Sequence, residues 1–216
     1  MSGKKIVVVG ASGLVGREVI RQCISSSAYK KVVALVRSPI DLRHDKLVQH
    51  DYDFDAPISD YINGEDLICC LGTTMKNAGS KTAFRRVDYD YVLETALIAK
   101  NNGIKNIAVV SAMGASYKSK VFYNRVKGEV EQDIRRLGFE LCFICRPSLL
   151  LGKRQPTRLG EEIMKIVGAP FFWLLPKRYQ PISSKKVASI LLEYLNKGLH
   201  GTYIYEYPSL INESNK

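Results

Sequence analysis

The most constraining feature of this chain is an apolar strand that runs directly into a glycine loop. Residues 6–9 form the apolar run, and Gly10, Gly13 and Gly16 follow before an amphipathic pattern begins. In this context the glycines permit a tight turn, a close approach of the backbone to a phosphate, and close packing of a helix on the strand. The first N–H groups of such a helix bind anions. The loop is therefore predicted to hold the pyrophosphate of a dinucleotide through Gly10, Ser12, Gly13, Leu14, Val15 and Gly16.

Apolar runs typical of strands alternate with helical patterns along most of the chain. Continuous β-rich runs separated by amphipathic helices indicate a parallel sheet covered on both faces, and right-handed crossovers make that sheet doubly wound. The predicted fold class is therefore α/β, a doubly wound parallel sheet with helices on both faces and a small C-terminal cap. The predicted strands are residues 5–9, 31–36, 46–50, 66–71, 106–110, 140–145 and 202–205, and helices follow the glycine loop and cover residues 82–101, 120–137 and 183–196.

The composition changes in the last third of the chain, after residue 146. A length of 216 residues suits one domain with a small appendage. Residues 1–216 are therefore predicted to form a single nucleotide-binding domain, with 147–210 as a cap over the carboxyl edge of the sheet. Within it, the apolar segment 160–176 includes Phe171, Phe172 and Trp173 and needs a surface to bury against. It is expected to cover the cleft, and a subunit interface explains it equally well.

The residues after the second predicted strand bear on the choice of cofactor. A site that prefers NAD carries an acidic residue here, whereas this chain has Arg37 followed by Ser38. A guanidinium and a hydroxyl suit a 2′-phosphate, so NADP(H) is the predicted cofactor. An ordinary surface arginine is the alternative. The next predicted contacts are Asp51 and Tyr52, near the adenine, and Leu71, Gly72 and Thr73, where the backbone approaches the cofactor ribose.

Ser111, Tyr123 and Lys127 form the candidate catalytic group. Tyr123 and Lys127 lie four residues apart on one face of a predicted helix, and Ser111 follows the strand before it. A lysine ammonium near a phenol lowers the pKa of the tyrosine, so Tyr123 is expected to act as acid or base near neutral pH. Ser111 is expected to hydrogen-bond the substrate oxygen, and Lys127 to hold the nicotinamide ribose. The alternative is a surface tyrosine packed on a lysine stem.

As a set, these motifs resemble the atypical short-chain dehydrogenases/reductases and, more closely, the HIV Tat-interacting, oxidoreductase-like proteins and their bacterial relatives. The resemblance implies a Rossmann fold, NADPH binding, a Ser-Tyr-Lys triad at Ser111, Tyr123 and Lys127, and a cofactor contact from Arg146. Typical members use an Asn from the helix after strand four as a fourth catalytic group. Because Asp88 stands at that position, the role is not transferred to it. The matching segments are residues 10–16, 71–74, 84–92, 110–111, 123–131 and 146–152.

The chain is strongly basic, with a formal net charge of +11 and a sequence pI of about 9.4. Its basic residues occur in scattered pairs such as Lys30-Lys31 and Arg135-Arg136, without a helix that gathers them or aromatic residues between them. This distribution argues against a nucleic-acid partner. It leaves contact with an anionic membrane surface open. The sequence contains no apolar run long enough for a spanning helix, and it is compatible with either a monomer or a homodimer.

The five cysteines all lie in apolar segments. Cys142 and Cys145 have CxxC spacing, but residues three apart in a strand point to opposite faces, so the two sulfurs cannot share a metal. Buried thiols and no metal site are therefore predicted. The N-terminus runs straight into a strand without an apolar signal region, which predicts a cytoplasmic protein.

Taken together, these features predict an NADP(H)-dependent oxidoreductase that reduces a small, carbonyl-containing substrate through Ser111, Tyr123 and Lys127. The alternative is a non-catalytic NADP(H)-binding sensor or regulatory protein that acts through a protein partner. The same pocket would serve both functions, so measurable turnover is what distinguishes them.

Overall fold

The structure, a computed structural model, describes residues 3–151 and 176–211. The strands are β1 (Lys4–Val9), β2 (Tyr29–Val36), β3 (Leu47–Asp51), β4 (Asp66–Cys69), β5 (Asn106–Val110), β6 (Leu141–Arg146), β7 (Leu150–Leu151), β8 (Ile182–Ser183), β9 (Gly201–Glu206) and β10 (Ser209–Ile211). The helices are α1 (Leu14–Ser25), α2 (Met75–Ala78), α3 (Lys81–Arg85), α4 (Tyr91–Asn101), α5 (Phe122–Arg136) and α6 (Ser184–Asn196), and a π-helical turn covers Arg86–Asp90.

The central sheet has the order β3-β2-β1-β4-β5-β6-β9-β10. The strands from β3 to β9 are parallel to their neighbours, and β10 pairs with β9 in the antiparallel sense. The strand order therefore reverses beside β1, and in open α/β sheets ligands bind outside the carboxyl ends of the strands at such a point. This topology confirms the predicted Rossmann-type, doubly wound α/β fold.

Two apolar layers cover the faces of the sheet. One layer contains the buried sides of α1 and α6, and the other contains those of α4 and α5. The buried stripe of α1 is formed by Val15, Val19, Ile20 and Cys23, as its helical periodicity predicts. Cys145 belongs to the first layer and Cys142 to the second, which confirms that the two thiols lie on opposite faces.

The prediction that residues 147–210 form a cap is corrected by two elements. The helix α6 packs against α1 on one face of the sheet. The strand β9 pairs with β6 from Leu141 opposite Gly201 to Arg146 opposite Glu206, so it extends the central sheet. An unpaired strand edge exposes N–H and C=O groups that another strand can satisfy, which explains why β9 joins β6. Residues 152–175, with most of the apolar segment that contains Trp173, lie outside the described residues.

The single helix predicted for residues 82–101 is interrupted. The helix α3 leads into the π-helical turn, and α4 follows it without leaving the helical path. Within the turn Asp88 is fully buried, whereas Arg86 and Asp90 are exposed. One extra residue in a turn does not disturb the apolar periodicity enough to be detected from sequence.

In the described ranges, no helix has both the length and the apolar character needed to cross a membrane.

The replacement Gly128→Ala is expected to force α5 away from the loop before it. A Cβ at this position would lie 2.2 Å from both the carbonyl carbon of Ser116 and the amide nitrogen of Tyr117, so backbone atoms must move. We expect the free energy of unfolding to fall by about 1–3 kcal/mol in a urea titration. The control is Gln132→Ala on the same helix, which should change it by less than about 0.5 kcal/mol. Equal stability of both variants would contradict this packing.

Candidate functional site

The glycine loop contains two close backbone approaches, one to the chain that follows β4 and one within the loop itself. Gly10 has a φ of +72°, and a Cβ there would lie 2.5 Å from the carbonyl of Cys70. A Cβ on Gly16 would lie 2.2 Å from the carbonyl oxygen of Gly10. Positive φ and contacts of this kind exclude any side chain, so these two positions require glycine. The loop is thereby fixed over the reversal in strand order between β1 and β4.

The N-terminus of α1 is open to a ligand. Gly13 is the N-cap, and no side chain caps the helix. Ser12 and Gly13 are exposed, whereas the side chain of Val15 is buried, so Val15 can offer a ligand only its backbone. The N–H groups of an uncapped first turn attract an anion, reinforced by the helix dipole. These residues therefore fit the pyrophosphate of a dinucleotide.

Arg37 and Ser38 lie at the same edge as the glycine loop. Because Val9 of β1 is paired with Leu35 of β2, the two residues follow β2 close to Gly10. Both side chains are exposed, and the hydroxyl of Ser38 donates to the carbonyl oxygen of Arg37 at 2.9 Å. Arg37 makes no ion pair with any residue in the described ranges, so its guanidinium is available to a ligand.

Asp51 and Tyr52, predicted near the adenine, have opposite environments. Asp51 is exposed at the end of β3, whereas Tyr52 is 2% exposed and its ring packs edge-on against Phe54 with centroids 4.9 Å apart. The Tyr52 hydroxyl is buried without a hydrogen-bond partner among the described residues. Burial, with a further contribution from the charge of Glu94, raises the pKa of Tyr52 to about 12. The Tyr52 ring therefore belongs to the core, and Asp51 is the residue that a ligand can reach.

The loop after β4 lies directly over a buried ion pair. Gly72 is exposed, and a Cβ there would lie 3.3 Å from Asp88 Oδ1 and 3.5 Å from Lys127 Nζ. The N–H of Thr73 donates to Asp88 Oδ2 at 2.8 Å. Glycine thus lets the loop lie close above the charged pair, while its outer side is exposed. This places the predicted ribose-contacting residues Leu71, Gly72 and Thr73 next to Lys127.

Tyr123 and Lys127 are brought together on α5, as their spacing predicts. The ammonium of Lys127 lies 2.6 Å from Asp88 Oδ1, and both charged side chains are buried, with 6% and 0% exposure. Burial lowers the pKa of Lys127, but Asp88 and Tyr123 raise it more, so the ammonium stays charged.

The effect on Tyr123 differs from the prediction. Burial raises the pKa of Tyr123, Lys127 lowers it and Asp88 raises it, and the net shift is upward. Lys127 therefore lowers the pKa of Tyr123 as expected, but the expected net fall towards neutral pH is wrong for this state of the protein, because burial and the carboxylate of Asp88 outweigh the ammonium.

Ser111 belongs to a different cluster of side chains. Its hydroxyl donates to Glu131 Oε1. Glu131 Oε2 lies 2.5 Å from Arg146 Nη2, and Arg146 Nη1 lies 3.3 Å from Glu206 Oε2. No hydrogen bond joins Ser111 to Tyr123 in the part of the chain that the structure describes. The guanidinium of Arg146, predicted to contact the cofactor, is thus engaged by two carboxylates.

Sequence reasoning missed the partners of these groups. Tyr123, Lys127 and Glu131 recur every four residues on α5, and this spacing could have placed Glu131 on the same stripe. A charged residue on a buried stripe requires a partner. The identity of that partner, Asp88 for Lys127 and Arg146 for Glu131, depends on the tertiary fold.

The replacement Glu131→Ala is expected to destabilise the protein strongly. It removes the principal partner of Arg146, whose side chain is only 15% exposed. Breaking a buried pair costs about 3 kcal/mol, measurable as a fall in the free energy of unfolding. Glu129→Ala is the matched control, because Glu129 and its partner Arg85 are 30% and 41% exposed. The control should cost less than about 1 kcal/mol, and an equal loss for both variants would be the contradicting result.

Comparison with known proteins finds a nucleotide-binding family and two similar proteins. A family model described as NAD(P)H-binding matches residues 10–197. The chain is 33% identical over 204 residues to the mitochondrial protein FMP52 of Candida albicans, covering 90% of this chain and 89% of that protein. It is 32% identical over 203 residues to protein HTATIP2 of Rattus norvegicus, covering 91% and 81%.

Solved structures share the fold. The structure of MoeE5 in complex with UDP-glucuronic acid and NAD has a TM-score of 0.75 at 13% identity, and covers 96% of this chain and 78% of its own. A UDP-glucose 4-epimerase from Thermotoga maritima, with UDP-glucose, has a TM-score of 0.71 at 13% identity and covers 93% and 76%. At these identities the likeness concerns the fold alone.

The relatives also correct one prediction and establish the family. The cytoplasmic location expected from the sequence is contradicted by the FMP52 proteins of Candida albicans, Candida glabrata, Eremothecium gossypii and Debaryomyces hansenii, which are named mitochondrial and point to mitochondria instead. The family match and the relatives together cover most of the chain. The chain therefore belongs to the NAD(P)H-binding family of atypical short-chain dehydrogenases/reductases, and its cofactor is a nicotinamide dinucleotide.

Proposed function

We propose that this protein is an NADP(H)-dependent reductase of small carbonyl compounds. One observation carries the proposal: the Tyr123 phenol and the Lys127 ammonium share one stripe of α5, with the Asp88–Lys127 pair directly beneath the exposed Gly72. The carboxyl edge of the sheet thus combines a loop suited to a dinucleotide with a residue suited to proton transfer. The preference for NADP(H) is supported by the exposed Arg37 and Ser38 beside the glycine loop.

The residues of the chain divide the work of the proposed reaction. When bound, the nicotinamide supplies a hydride to the carbonyl carbon. Tyr123 donates its proton to the carbonyl oxygen, which yields the alcohol, and solvent then returns a proton to Tyr123. In the proposed reaction Lys127 holds the cofactor ribose with the N–H groups that Asp88 leaves free, since an ammonium has three donors. Burial keeps Tyr123 protonated, which suits the donor role in reduction.

Ser111 plays a smaller part in this proposal than the family pattern implies. Its proton is donated to Glu131, so the hydroxyl presents only acceptor sites elsewhere. A carbonyl oxygen needs a donor, and Ser111 could serve it only by turning away from Glu131. Tyr123 is therefore the principal donor to the substrate.

The hydrogen bond from Ser111 to Glu131 supports a second candidate function, a non-catalytic NADP(H)-binding sensor that acts through a protein partner. With Ser111 engaged by Glu131 and Arg146 engaged by two carboxylates, Tyr123 is left as the hydroxyl donor of the predicted triad among the described residues. Measurable turnover of a carbonyl substrate separates the two functions.

Cofactor preference can be tested at Arg37. Losing charge-assisted hydrogen bonds costs about 1.5–3 kcal/mol, so Arg37→Ala should weaken NADPH binding by roughly tenfold or more and leave NADH binding nearly unchanged. Fluorescence titration of both cofactors measures this. Arg43→Ala is the control, because Arg43 is also exposed after β2, and it should weaken NADPH far less. An equal loss for both cofactors in Arg37→Ala would show that Arg37 does not contact the 2′-phosphate.

The proton donor can be tested at Tyr123. A panel of aldehydes, ketones and quinones first identifies an accepted substrate. General acid catalysis contributes about 10²–10⁴-fold, so Tyr123→Phe should lower turnover by that factor and leave NADPH affinity nearly unchanged. Lys127→Ala should lower both turnover and NADPH affinity, because Lys127 also holds the ribose in the proposed complex. Tyr117→Phe is the matched control, since the exposed Tyr117 lies in the loop before α5.

The outcomes decide between the two functions. Full activity of Tyr123→Phe on an accepted substrate would show that Tyr123 is not the donor. If NADPH binds but nothing on the panel is turned over, the sensor function takes the place of the reductase.

A further inference from the structure

Asp88 is fully buried at the carboxyl edge although it carries a carboxylate. It lies in the π-helical turn Arg86–Asp90, and turns of this kind are frequent at functional sites. A carboxylate removed from water requires an opposite charge and hydrogen bonds. Neither Arg86 nor Asp90, both exposed on the same turn, has this constraint. The burial of Asp88 must therefore be balanced by groups on other elements.

Two elements supply those groups. The loop after β4 contributes the N–H of Thr73, which donates to Asp88 Oδ2 at 2.8 Å. The helix α5 contributes Lys127, whose Nζ lies 2.6 Å from Asp88 Oδ1. The contact between Lys127 and Asp88 lies beneath the exposed Gly72. Asp88 therefore connects its own π-helical turn with the loop after β4 and with α5, the helix that carries Tyr123.

Among the described residues, two charged groups influence the Tyr123 phenol. The ammonium of Lys127 on α5 favours ionisation of the phenol, and the carboxylate of Asp88 in the π-helical turn opposes it. From α3, the ring of Phe84 packs against the Tyr123 ring with centroids 5.3 Å apart and brings no charge. The balance between Lys127 and Asp88 therefore sets the electrostatic environment of the phenol, in a site that burial makes sensitive to both.

We propose that Asp88 is a positioning residue that holds the Lys127 ammonium and offsets its charge at the Tyr123 phenol, so that Tyr123 serves as a proton donor and not as a phenolate base. The use of Tyr123 as a proton donor rests on the proposed reductase function. The effect of Asp88 on the ionisation of the phenol does not. A neutral Asn at this position would remove the negative charge that opposes the phenolate, and the phenolate that forms would itself keep Lys127 protonated. Asp88 thus biases the site towards reduction.

The proposal is tested by titrating Tyr123 without cofactor or substrate. The chain has 12 tyrosines, so the phenolate absorbance of Tyr123 is isolated by subtracting the titration of the matching Tyr123→Phe protein. Circular dichroism at each pH identifies the range in which each protein is folded. Asp88→Asn keeps the size of the side chain and an acceptor for the Thr73 N–H while removing the charge. Asp90→Asn removes an exposed charge from the same turn and is the control.

The expected result is that Tyr123 forms phenolate at a lower pH in Asp88→Asn than in the wild-type protein, and that Asp90→Asn leaves the titration unchanged. A merely structural role for Asp88 would not move this midpoint. Phenolate that appears at the same or a higher pH in Asp88→Asn, or that does not appear within its folded range, overturns the proposal.

A second variant decides the question if Asp88→Asn does not fold. The double replacement Asp88→Asn with Lys127→Gln leaves no unpaired buried charge. If the two charges offset each other at the phenol, the double variant titrates close to the wild-type protein. If Lys127 acts unopposed in the wild-type protein, losing it moves the midpoint to clearly higher pH, and that result overturns the proposal.

An activity measurement separates this proposal from the proposed function. With an accepted carbonyl substrate, the alkaline limb of kcat/KM for reduction should move to lower pH in Asp88→Asn by the same amount as the phenol midpoint. If the midpoint shifts but no carbonyl on the panel is turned over, the charge balance at Tyr123 stands and the reductase function fails. If turnover is found but neither midpoint nor limb moves, the reductase function stands and the role of Asp88 fails.

Discussion

Two buried ion pairs on α5 hold the carboxyl edge of the sheet together. Lys127 pairs with Asp88 of the π-helical turn, and Glu131 pairs with Arg146 at the end of β6. Removing one partner of such a pair leaves an uncompensated charge in the protein interior, which costs several kcal/mol. The position of α5 relative to the neighbouring elements is therefore fixed by charge as well as by apolar packing. The two ion pairs thereby help to fix the positions of Tyr123 and Lys127, the groups of α5 that the proposed reaction uses.

The opposite edge of the sheet is fixed by a comparable cluster. Asp66 at the start of β4 is fully buried, and it pairs with Lys4 at 2.6 Å and accepts from Tyr29 at 3.2 Å and Asn106 at 2.8 Å. Each of the buried carboxylates Asp66, Asp88 and Glu131 thus has a basic partner among the described residues. With both edges held, the loops at the carboxyl edge can vary their chemistry on a rigid scaffold, as is general for sites of this kind.

The predicted triad illustrates the difference between a motif and a site. The residue types and spacing of Ser111, Tyr123 and Lys127 follow the family pattern. In the structure two members of the triad have different acidic partners: Lys127 pairs with Asp88, and Ser111 donates to Glu131. The pKa of Tyr123 is raised for the same reason, since burial and Asp88 oppose the ammonium. The chemistry of the proposed reaction therefore depends on carboxylates that the motif does not mention.

The sequence by itself determined the sheet, the glycine loop and the pairing of Tyr123 with Lys127, because these follow from local periodicity, from the steric needs of glycine and from helical spacing. From the sequence, the residues of β9 and α6 are predicted to form a cap. Only the tertiary structure shows that β6 has an open edge with which β9 pairs. The tertiary structure alone also decided the environments of Tyr52, Asp88 and Glu131. Burial and charge pairing join residues far apart in the chain, and no local pattern encodes which distant group will balance a buried charge.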